Sequence, residues 1–73
     1  MRINKLKLEM AMANMSMSYL ELSRVSTVTQ TTLARLKRGV QNPRTETVGK
    51  IAKALEVNVS DIIEGVYEAR KEG

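Results

Sequence analysis

Apolar residues recur at three- and four-residue intervals along almost the whole chain, and that period makes helices its building blocks. The plainest case is Val48, Ile51, Ala52 and Leu55, spaced i, i+3, i+4, i+7 over good helix formers. Ile3, Leu6, Met10, Ala13 and Met17 trace a second continuous stripe, which predicts a first helix from about Asn4 to Ala13. The only aromatic residues are Tyr19 and Tyr67, so the core must be aliphatic, which suits packed helices better than a sheet. The methionines at 10, 12, 15 and 17 read as core packing and loop filling, with an adaptable binding surface as the alternative.

Start and stop signals divide the pattern. Ser18-Tyr19-Leu20-Glu21 is a capping box, with Met17 and Leu22 at the positions of a hydrophobic staple. A short second helix from Tyr19 to about Val25 follows. Ser26-Thr27-Val28 reads as a tight connection, after which Thr29 caps a third helix over Gln30 to Arg38, ended by Gly39. Pro43 suits the first position of a fourth helix behind Asn42 as cap. Asn58, with Asp61 three residues on, starts a fifth helix carrying Ile62, Ile63 and Val66. The expected fold is therefore all-α, a compact five-helix bundle in one domain over residues 1–68, with 69–73 a frayed tail.

Composition narrows the chemistry. The 73 residues include no cysteine and no histidine, so disulfides, thiolate metal sites and the commonest general base are all missing. Glu46, Glu64 and Glu68 are scattered carboxylates without a nucleophile, so an enzyme is not expected. The formal net charge of +4 predicts attraction to something anionic. No apolar run approaches the roughly 20 residues that span a bilayer, and Lys5, Lys7 and Glu9 interrupt any signal-peptide core. A cytoplasmic location is expected, without membrane, cofactor or small-molecule ligand. A basic amphipathic membrane binder would line its charges along one long helix, whereas here they spread over several short ones.

Two short helices joined by a three- or four-residue turn, the second ending in basic residues, form the helix-turn-helix pattern, here from Glu21 to Gly39. Leu22 must anchor its first helix, and Ser23 must be small enough to let the next helix approach. Val28 must plug the turn, while Leu33 and Leu36 clamp the last helix to the core. The opposite face then presents Gln30, Thr31, Ala34, Arg35 and Arg38. Glutamine and arginine suit bidentate reading of adenine and guanine edges in the major groove of double-stranded DNA. Thr29 is first a cap, although its hydroxyl could also serve a phosphate, and Lys37 is balanced between phosphate contact and ordinary surface.

The chain resembles the lambda-repressor-like family, the Cro/phage-repressor or XRE type, across roughly residues 3 to 64. The resemblance rests on Val28-Thr29-Gln30-Thr31-Thr32-Leu33, Leu36-Lys37-Arg38-Gly39, Asn42-Pro43, Glu46-Thr47-Val48 and Lys50-Ile51-Ala52-Lys53-Ala54-Leu55. It implies a five-helix bundle, a repressor that binds palindromic operators as a homodimer, and no cofactor. By position it implies base reading by Gln30, Thr31 and Arg35, and a backbone contact by Tyr19. Arg38, Asn42 and Arg44 flank a loop that often touches phosphate in the family. An antitoxin whose main task is neutralising a toxin is the rival reading. Three departures stand out: Thr27 and Glu56 occupy positions where the family usually has glycine, and the segment before Ser18 is about two residues longer. Ile62, Ile63 and Val66 are candidates for the dimer surface, with an intramolecular core as the alternative.

Overall fold

A computed structural model describes residues 2–39 and 42–64. Four α-helices, α1 (Lys5–Asn14), α2 (Tyr19–Ser26), α3 (Gln30–Arg38) and α4 (Thr45–Leu55), are followed by a 3-10 turn, Val59–Asp61. Side-chain caps define three of the starts, those at Ser18 and Thr29 as expected and that at Asn4, read from the sequence as the first helical residue, as a further one. Asn4 Oδ1 accepts from Lys7 N at 2.9 Å, and Thr29 Oγ1 accepts from Thr32 N at 3.2 Å. At Ser18 the box is reciprocal: Glu21 N donates to Ser18 Oγ at 3.1 Å and Ser18 N to Glu21 Oε1 at 3.3 Å. Each removes an amide that the first helical turn leaves without a partner.

Helix α4 begins later than the Asn42-Pro43 pair suggests. Its N-cap is Arg44, whose carbonyl accepts from Val48 N at 3.1 Å and whose side chain caps nothing. Pro43 is buried just ahead of the helix, so its ring fills space instead of opening the first turn.

The fifth helix is a correction. Asn58 N donates to Asp61 Oδ2 at 3.0 Å and starts a turn, but among the described residues beyond it only three, Val59–Asp61, are helical. The chain then takes another set of hydrogen bonds. Ile62 O accepts from Asn4 N at 2.9 Å, Glu64 N donates to Arg2 O at 3.0 Å, and Ile63 forms an isolated antiparallel bridge with Ile3. A backbone paired with the N-terminal segment in this way cannot also continue a helix. Ile62 and Ile63 are 0% and 3% exposed, so they belong to the core of this chain and not to a dimer surface. Val66 and the 69–73 tail lie outside the described residues.

Helix α1 is rotated relative to the stripe of Ile3, Leu6, Met10, Ala13 and Met17 read from the sequence. Leu8, Ala11 and Met12 are buried, while Leu6 and Met10 stand 68% and 58% exposed. The helix carries apolar residues nearly all round, and Leu8, Ala11 and Met12 satisfy the same spacing as the exposed set. Of the methionines, Met12 is core, Met17 packs partly against it, and Met10 and Met15 are exposed.

The core joins Leu8, Ala11 and Met12 to Leu22, Val28, Leu33, Leu36, Val48, Ile51, Ala52, Leu55, Ile62 and Ile63. Helix α2 packs against both α3 and α4 and sits at the centre. Val28 plugs the α2–α3 turn at 7% exposure. The turn is also pinned by hydroxyls: Ser23 Oγ donates to Val28 O at 2.6 Å, and Val28 N donates to Ser26 Oγ at 3.2 Å. Ser26, buried, donates in turn to Leu22 O at 2.5 Å, so no polar atom of it is left unpaired.

Three of the four described helices are closed by a left-handed residue that is not glycine: Ser16 (φ 53°) just past the α1 cap, Thr27 (φ 64°) and Glu56 (φ 58°). Only α3 ends on the usual glycine, Gly39 (φ 73°). After α1 and α4 the amides close the paired bonds of a Schellman motif, Met17 N to Met12 O at 2.9 Å and Val57 N to Ala52 O at 3.0 Å. The longer segment before Ser18 is thus a helix end with its own bonds. Thr27 is the most costly of the three, because a β-branched side chain fits this region worst. Thr27→Gly should raise stability by about 1 kcal/mol, and Glu56→Gly by less, since glycine removes strain but adds unfolded-state freedom. Chemical denaturation checks this, and a clear loss in Thr27→Gly would show that the threonine is comfortable there.

Candidate nucleic-acid interface

Burial of Leu33 (1% exposed) and Leu36 (4%) fixes the roll of α3 about its axis. Gln30, Thr31, Ala34, Arg35, Lys37 and Arg38 are consequently all exposed. The helix contains no acidic residue, and Arg35, Lys37 and Arg38 crowd its last turn, where they complement the negative end of the helix dipole. At its other end the free amides and the positive dipole end lie beside Gln30 and Thr31.

Two neighbouring lines of side chains result. Thr31, Arg35 and Arg38 follow one line at i, i+4, i+7. Gln30, Ala34 and Lys37 follow the next, and together with Leu33 and Tyr19 of α2 they line a cleft of about 170 Å³. The structure therefore brings Tyr19, placed by resemblance at a backbone-contacting position, beside two expected base readers and Lys37. The ammonium of Lys37 lies 5.2 Å from the centroid of the Tyr19 ring, within cation–π range. Thr29 is committed to capping: it accepts from Thr32 N and donates to Thr32 Oγ1 at 3.0 Å. Asn42 and Arg44 are exposed on the segment between α3 and α4.

This arrangement can do what the major groove demands. A short helix projects polar and basic side chains outward, backed by an apolar core that holds them in register. Among the described residues no group of three or more Asp or Glu side chains is placed to hold a metal ion. No described helix is long and apolar enough to cross a membrane.

Comparison with known families decides the assignment. The sequence profile of the Cro/C1-type HTH DNA-binding domain matches residues 7–68. The chain belongs to this family. No curated protein and no solved structure matches it. The match spans α2 and α3, the two short helices joined by the Val28 turn.

One residue of the site was not expected from the sequence. Glu9 of α1 accepts a hydrogen bond from the Tyr19 hydroxyl, Oε2 to Oη 3.0 Å. The only hint in the sequence is position: Glu9 lies outside the motif, and nothing in a single chain shows which turn of α1 crosses the start of α2. The pairing holds the phenol ring upright at the wall of the cleft, where Lys37 can rest on its face. It also commits the hydroxyl to a carboxylate, so Tyr19 offers the cleft its ring and the Lys37 ammonium on it more than a free O–H. Burial, the hydrogen bond to Glu9 and the Glu9 charge together push the Tyr19 phenol up to about 12 from its ordinary 10.0. The folded state thus holds this proton more tightly than the unfolded one. The resulting stabilisation is intact below pH 10 and is lost as pH rises through the folded value. In a Tyr67→Phe background, alkaline absorbance titration should place Tyr19 near 12 and Glu9→Gln should bring it down, leaving only the part due to burial. An unchanged titration in Glu9→Gln would mean that Glu9 does not hold the phenol.

Proposed function

We propose that this Cro/C1-type domain is a sequence-specific transcriptional regulator, a repressor that binds a palindromic operator as a homodimer. The observation that carries the reading is the division of α3: Leu33 and Leu36 are buried while Gln30, Thr31, Ala34 and Arg35 are exposed beside Tyr19 and Lys37. Gln30, Thr31 and Arg35 read base edges, and Ala34 offers a methyl surface against thymine. Tyr19, Lys37, Arg38, Asn42 and Arg44 hold the phosphate backbone, which sets register and supplies the salt-dependent part of affinity. Thr29 contributes mainly by capping the reading helix.

Repression follows from occupancy, because a protein seated in the groove excludes other proteins from the same DNA. No bond is made or broken, and the place of action is the cytoplasm, wherever the operator lies. Two copies place their reading helices about 34 Å apart, one turn of the duplex. With Ile62 and Ile63 inside the core, the pairing surface must be formed by other residues.

Selection from random duplexes followed by sequencing should return two related half-sites. A single unsymmetric site would remove the dimer, and no enrichment would remove sequence-specific binding. At the selected site Arg35→Ala should cost about 1–3 kcal/mol and relax the preference at one base pair. Equal weakening on every duplex would make Arg35 a phosphate contact. Arg44→Ala should lower the slope of log affinity against log salt by about one unit with base preference unchanged. An unaltered slope would place Arg44 outside the interface.

A further inference from the structure

Helix α2 has two flanks, and the duplex accounts for one of them. On the other flank Val25 and Ser26 of α2 and Lys50, Lys53 and Ala54 of α4 line a second groove, of about 230 Å³. No residue of α3 lines this groove, and no residue of α4 lines the Tyr19 cleft. Val25 is 57% exposed, so its apolar side chain is open to a partner. Ala54 beside it is half-buried. Ser26 adds floor and no free hydroxyl, since it already donates to Leu22 O.

The rim carries charge of one sign. Lys50 and Lys53 are exposed and three residues apart on the same helix, so they stand on one side of the groove. The ion pair found among the described residues is Arg2 with Glu64, so neither lysine is matched by a described carboxylate. An apolar floor under unmatched ammonium groups is complementary to an apolar side chain flanked by carboxylates. A second copy docking through the same face would set Lys50 and Lys53 against their own counterparts, like charge against like, so it fits this groove poorly.

We propose that the groove between α2 and α4 is a docking site for an acidic amphipathic helix of a partner protein. One apolar side chain of that helix packs on Val25 and Ala54, and carboxylates one turn to either side meet Lys50 and Lys53. Since the site lies on the flank of α2 away from α3, the partner and the duplex bind together. A DNA-bound regulator would thereby recruit, or be read by, a second protein.

The test uses the full chain as bait for a displayed library of random peptides of about 12 residues, an average helix in length. Recovered peptides should carry an apolar residue between acidic ones. They should bind about ten-fold more weakly to Val25→Glu and to the double variant Lys50→Glu/Lys53→Glu, and equally well with the selected operator duplex present. All three substituted residues are exposed, and helical circular dichroism with retained operator binding shows that each variant is folded. If Val25→Glu loses that fold, the lysine variant alone decides. Failure to enrich peptides over the folded variants overturns the proposal. So does a lysine variant whose DNA affinity falls with a salt slope reduced by about two, which assigns the lysines to phosphates. Self-association of the wild type that disappears in Val25→Glu overturns it in favour of a second copy.

Discussion

The burial of two leucines on one side of a nine-residue helix is the constraint on which this molecule depends. An isolated helix of that length is not stable in water, so α3 exists because Leu33 and Leu36 enter the core shared with Leu22, Val28, Val48 and Ile51. Each fully buried leucine is worth roughly 1.5–3 kcal/mol over an exposed one. The same contacts that make the helix also aim it. With those two positions inward, the roll of α3 is settled, and Gln30, Thr31, Arg35, Lys37 and Arg38 all face solvent. The stability of α3 and the direction of its exposed face therefore share one set of contacts.

The remainder of the fold holds that helix in place with little material. Hydroxyls take over work that a larger domain would assign to apolar bulk: Ser23 and Ser26 brace Val28 in the turn, and Ser18 and Thr29 start the two helices on either side. Three helix ends tolerate left-handed residues other than glycine, the least comfortable being Thr27 inside the motif itself. The strain at Thr27 lies where the direction of α3 is set. The bridge between Ile3 and Ile63 ties the start of the described chain to its end and closes the core over Leu8 and Leu55.

Much of this was legible in the sequence wherever a local signal and a tertiary demand agreed. The bounds of α3, the Ser18 box and the buried face of α4 follow from short-range chemistry that packing then confirms, while the left-handed Thr27 and Glu56 stand where the family resemblance puts glycine. Helix α1 was misread because two apolar stripes compete on it, and only contact with α2 and the Ile62–Ile63 segment chooses between them. The fifth helix was overextended for a related reason: pairing of Ile62 and Ile63 with the N-terminal segment is a contact between distant residues, invisible in local spacing. The exposed face of α3 could be named residue by residue, since it is the complement of two leucines. Glu9 could not, because its role depends on how α1 crosses α2.

The account as a whole stands on α3 being the surface that enters DNA, and amide chemical-shift mapping of the labelled chain with its selected duplex tests this directly. The largest changes should fall on Gln30, Thr31, Ala34 and Arg35 and on Tyr19 across the cleft. Leu33 and Leu36 should keep their protection from solvent. Changes gathered on α1 or along the outer face of α4, with α3 unmoved, would contradict it.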